Sequence, residues 1–113
     1  MIRLIVMYNL PEGADEAAFL DWRLNHHQAA NAALPGVVRT DFAQVAKAWP
    51  DRAKPRFRFV TTLEWSDRRA FENAFYATSV QAELVENLKR LGEFEYSVCE
   101  IIAASGTSEG TAS

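Results

Sequence analysis

Arg23, His26 and His27 sit together in the stretch DWRLNHHQAANAALPG, and their types hold anions or move protons. Arg23 and His27 are four residues apart, so on a helix they project from one face, one turn from each other. A helical wheel at about 100° per residue puts both near the middle of an apolar stripe formed by Phe19, Leu20, Ala30 and Leu34. His26 turns toward the flank, with Trp22 and Ala33. A guanidinium on a core-facing stripe is costly unless it is paired or faces a wet cavity. With an imidazole one turn on, it makes a polar spot in an apolar lining, the usual chemistry of a small-molecule pocket. Arg23 would suit a carboxylate, phenolate or enolate, and His27 would donate or accept a proton near neutral pH. A plainer reading stands beside this one. A histidine near a helix C-terminus can satisfy the last carbonyls or the macrodipole, and Arg23 can snorkel to solvent along its stem.

Further polar or aromatic side chains lie on segments that read as strands. Tyr8, Asp41, Trp65 and Tyr96 are the candidates for substrate contact or for orienting His27. No metal is expected. Adjacent histidines diverge on a helix, and no HxxxH or carboxylate-rich spacing accompanies them. Cys99 is the single cysteine, which rules out an intrachain disulfide and a cysteine-based metal centre. The chain has no GxGxxG or other phosphate-cradling loop, so no cofactor is expected.

These residues need elements to position them. Ile2 to Asn9 is an apolar, β-branched run stopped by Leu-Pro-Glu-Gly and reads as a first strand. Asp15 can cap a helix of about twenty residues that ends at Leu34-Pro35-Gly36. Val37 to Val45 reads as strand two, and Arg56 to Trp65 as strand three, with Phe57, Phe59, Thr61, Leu63 and Trp65 on one face. Ser66 or Asp67 can cap a second helix through Phe71 and Phe75, restarting at Thr78 or Ser79 and running to Gly92. Phe94 to Ile102 completes the set as strand four. The order βαββαβ predicts an α+β, ferredoxin-like sandwich: a four-stranded antiparallel sheet with both helices on one face. Two helices leave the second face of the sheet bare, and its apolar content predicts a symmetric homodimer.

The totals narrow the function classes. The 113 residues make one domain, expected over residues 1–103, with a loose polar tail over 104–113. Its 12 basic and 15 acidic residues are interspersed, with a net charge of −3, so neither nucleic acid nor an anionic membrane is an expected partner. No apolar run approaches the roughly 20 residues of a membrane span. Together with the lone cysteine, this predicts a cytoplasmic protein.

The strand MIRLIVMYNLPEG, the helix pattern FLDWRLNHH and the segment LPGVVRTDF beginning seven positions after His27 resemble the EthD family of the dimeric α+β barrel superfamily. The likeness spans roughly residues 1–103. His27 matches the family's recurrent histidine by its distance to Leu34-Pro35-Gly36. Arg23 stands where a bulky apolar or aromatic residue is common, and Ala29 where a proline is expected. The resemblance implies a cleft between sheet and helices in each subunit of a dimer closed into a barrel. It implies acid/base chemistry (isomerisation, cyclisation or cofactor-free oxidation) on a small carbonyl-bearing or phenolic molecule. His27 and Arg23 would then be the catalytic pair. The alternative from another class is a non-catalytic, hydrophobic-ligand-binding or stress-associated dimer.

Overall fold

Alternation along the two central strands decides the architecture. In β1 (Ile2–Tyr8) and β3 (Phe59–Trp65), every second residue is buried. They pair antiparallel with Leu4 opposite Leu63 and Val6 opposite Thr61, so the buried sets share one face. In the computed structural model, which describes residues 1–50 and 54–106, β2 (Val37–Gln44) flanks β3 and β4 (Phe94–Glu100) flanks β1, giving the order β2-β3-β1-β4 with all neighbours antiparallel. The expected ferredoxin-like α+β fold is the one observed. Its core is Ile2, Leu4, Val6, Tyr8, Phe59, Leu63 and Trp65 from the sheet, with Phe19, Phe71 and Ala74 from the helices. Phe59 and Trp65 are wholly buried, each worth roughly 2–3 kcal/mol of apolar transfer. The tail residues 107–113 lie outside the described residues.

Four strand limits differ from the expected ones: β2 ends at Gln44 rather than Val45, β4 at Glu100 rather than Ile102, and the other two differ for a common reason. The Asn9 side chain accepts from the Arg58 backbone N–H at 2.8 Å and donates to the Arg56 carbonyl at 2.8 Å. A side chain thus takes over the backbone partners that a longer β1–β3 ladder would use, so β1 stops at Tyr8 and β3 starts at Phe59 rather than Arg56.

The helices begin where the sequence places caps. The carboxylate of Asp15 accepts from the Ala18 N–H at 3.1 Å at the start of α1 (Glu16–Trp22), and that of Asp67 from the Ala70 N–H at 2.8 Å before α3 (Arg68–Phe75). After a break at Tyr76 and Ala77, α4 (Thr78–Leu88) restarts as expected but ends at Leu88, before Gly92. The first helix is not the single regular element expected from Asp15 to Leu34. Between α1 and α2 (Gln28–Ala32), Arg23–His27 winds as one π-helical turn, in which the Gln28 N–H reaches back five residues to the Arg23 carbonyl. Beyond α2, Gly36 adopts φ +78°, and a Cβ there would come within 3.2 Å of the Trp65 ring. Glycine therefore lets the chain turn tightly over Trp65, whose indole N–H donates to the Pro35 carbonyl at 2.9 Å.

Candidate functional site

A cavity of about 540 Å³ opens between the inward face of the sheet and the helices. Leu4, Val6, Leu63 and Trp65 form its apolar floor. Phe19, Trp22 and Leu34 come from the first helical run, Phe75 and Leu84 from the second, and Leu91 from the segment after it. This size and lining suit a drug-sized organic molecule.

Arg23 is the deepest polar group, only 1% exposed. The π-helical turn points it into the core, where its Nη1 donates to Gln28 Oε1 at 2.7 Å and its Nη2 to Thr61 Oγ1 at 3.1 Å. The guanidinium lies 4.3 Å from the centroid of the Phe42 ring, a cation–π contact that replaces part of the lost hydration. Among the described residues, no carboxylate forms an ion pair with it. Burial holds its pKa below the ordinary value, and the neighbouring Tyr8 offsets part of that effect. Even so lowered, an arginine keeps its charge at neutral pH. Arg23 is therefore a buried positive charge with no ion-paired carboxylate among the described residues, the cavity's own carboxylates, Glu83 and Glu86, being exposed. That is the electrostatic condition for holding an anionic ligand oxygen. Snorkelling to solvent does not occur.

His27, one turn on, also lines the cavity. It stacks on Trp22 with ring centroids 4.6 Å apart and planes 16° off parallel, and Arg90 caps the same indole at 4.1 Å. Burial, then the positive charges of Arg23 and Arg90, bring its pKa down to about 4. The expectation of a group that donates or accepts near neutral pH is therefore revised. In the free protein the imidazole is neutral at pH 7 and offers an acceptor nitrogen, not a cationic acid. It lies in mid-helix, away from a helix C-terminus, so the macrodipole reading does not apply. His26 is exposed at the edge of the same cavity.

Of the strand candidates, Tyr8, Trp65 and Tyr96 line the cleft and Asp41 does not. The Tyr8 hydroxyl lies 3.4 Å from Thr61 Oγ1, beside Arg23. Burial, and secondarily the proximity of Tyr8, push the Tyr96 phenol up to about 12, so it stays a neutral donor. Asp41 is opposite Thr62, one register step from inward-facing Thr61, and so belongs to the other face of the sheet. There it accepts from Thr62 Oγ1 at 2.7 Å and from Arg39 at 3.0 Å. It cannot orient His27.

Several polar residues of the cavity were not among the sequence candidates, including Glu83, Glu86 and Asn87 and, at its buried part, Thr61 and Asn31. Thr61 is a hydroxyl between Phe59 and Leu63 on an otherwise apolar face, and that polarity was the available signal. Asn31, four residues beyond His27, continues the series Arg23, His27, Asn31 along one helix face.

Comparison with known proteins places this geometry among relatives. A family model described as REDY-like protein HapK matches residues 2–106. The structure is similar to that of HapK from Hahella chejuensis, with 28% identity over 94% of this chain and 97% of that one and a TM-score of 0.69. It is similar to an EthD family protein from Bacillus halodurans C-125 at 19% identity, 90% and 99% coverage and a TM-score of 0.74. A variant of SnoaB, a cofactor-independent oxygenase from Streptomyces nogalater, matches at 17% identity, 91% and 94% coverage and a TM-score of 0.64. A search of curated proteins gave no match.

Proposed function

Since the chain belongs to the EthD-like family of REDY-like protein HapK, we propose that its cleft binds a small phenolic or carbonyl-bearing molecule and promotes loss of a proton from it. The observation that carries this reading is the buried Arg23, which has no carboxylate in an ion pair with it among the described residues and lines a largely apolar cavity. A ligand O–H, or a C–H next to a carbonyl, gives its proton to a ring nitrogen of His27. The electron pair is left on the oxygen facing Arg23, with Tyr8 and Thr61 completing the polar surround. The oxyanion formed supplies the missing counter-charge and raises the basicity of the imidazole beside it. From such an anion, isomerisation, cyclisation or reaction with oxygen is accessible without a cofactor. The last is the chemistry named for SnoaB.

The low basicity of free His27 favours one second reading, capture of a preformed anion without turnover. In the homodimer we propose for the chain, the outer sheet face is the contact. Ile5, Met7, Ala43 and Val60 come together there by register, away from the helices.

4-Nitrophenol tests the site, because its colour reports its ionisation. Bound to the protein, it should turn yellow at a pH where the free probe is colourless, and Arg23→Met should abolish that shift. A bound probe that titrates like the free one would refute the oxyanion role. Native mass spectrometry of protein taken from its producing cells separates the two readings. A ligand converted on incubation supports turnover, and one always released unchanged supports capture.

A further inference from the structure

Asn31 is 9% exposed and lines the same cavity, yet its side-chain amide has no hydrogen-bond partner among the described residues. A buried amide left unbonded is costly, and native interiors rarely retain one. The other polar side chains of the lining, Glu83, Glu86 and Asn87 among them, form no hydrogen bond with it. Asn31 lies eight residues beyond Arg23 on the same helical run and contributes a second polar group to the lining.

We propose that Asn31 is a second ligand anchor, whose amide N–H donates to a carbonyl oxygen of an aromatic ligand, distinct from the oxygen held by Arg23 and His27. The inference rests on the cleft being the ligand site proposed above. The substrate class is thus an aryl framework that carries both a hydroxyl and a carbonyl. Trp22, Phe75 and Tyr96 supply flat walls for such a ring system.

Isothermal titration calorimetry with 2-naphthol and 6-acetyl-2-naphthol tests the assignment. Wild-type protein should bind the acetyl compound about three- to tenfold more tightly, the worth of one added hydrogen bond. Asn31→Leu should erase that preference, so that the variant binds the two probes equally. Asn31→Asp, which keeps acceptor oxygens and loses the donor, should erase it too. Equal affinities for the two probes in wild type, or a preference that survives in Asn31→Leu, would overturn the role of Asn31 and leave the Arg23 site standing. Binding of neither probe would overturn the cleft reading itself.

Discussion

Acidification should destabilise this protein through His27, and the size of the effect follows from its surroundings. The imidazole has a pKa of about 4 in the fold against 6.5 for an unperturbed histidine, with burial as the first cause and Arg23 and Arg90 following. Above pH 6.5 both folded and unfolded chains hold it neutral, and it contributes no pH dependence. Between pH 6.5 and 4 the unfolded chain takes up a proton that the folded one refuses, so stability falls as pH falls. At roughly 1.4 kcal/mol per tenfold change, the loss at pH 5 would be roughly 2 kcal/mol. The ring is partly exposed, and solvent screening brings this to about 1 kcal/mol. The assay is urea denaturation of wild type and His27→Gln at pH 7.5 and pH 5.0. Glutamine cannot protonate, so the other titrating groups cancel in the comparison. Wild type should lose about 1 kcal/mol more than the variant, a difference of about 4 °C in Tm for a domain of this size. NMR titration of the imidazole should find its midpoint well below 6.5. Identical pH slopes for the two proteins, or a midpoint near 6.5, would refute the buried, cation-flanked placement of His27.

Asp41→Asn should leave 4-nitrophenol affinity within twofold of wild type, because the carboxylate serves Thr62 and Arg39 on the far face of the sheet. A larger loss on titration would place it at the ligand after all. Phe59→Ala removes a wholly buried ring from beneath the cleft and should cost about 3–5 kcal/mol in urea unfolding. A cost below about 1 kcal/mol would mean that this part of the core is loosely packed. Met7→Asp puts a charge on the outer sheet face and should convert a sedimenting dimer to a monomer. A wild-type chain that already sediments as a monomer would refute the dimer proposal.

Much of the fold is legible in the sequence because its signals are local. Ile2 to Tyr8 is an apolar, β-branched run, Asp15 and Asp67 supply caps, and Leu34-Pro35-Gly36 punctuates the chain, so the element order and hence the sandwich topology can be written from residue types alone. The four-residue spacing of Arg23 and His27 likewise puts them on one face by helical periodicity alone. Other features depend on contacts between segments distant in the chain. The strand limits moved because Asn9 bonds to the backbone of Arg56 and Arg58 across the sheet. Asp41 left the site because sheet register, and no property of its own strand, assigns it to a face. The π-helical turn that aims Arg23 at Thr61 has no sequence signature of its own. Nor does His27 carry in its neighbours along the chain the burial and the positive charge of Arg90 that set its basicity. Sequence by itself determined which residues could do chemistry and which elements would hold them. Only tertiary structure decided which of them meet, because desolvation and charge act through space and not along the chain.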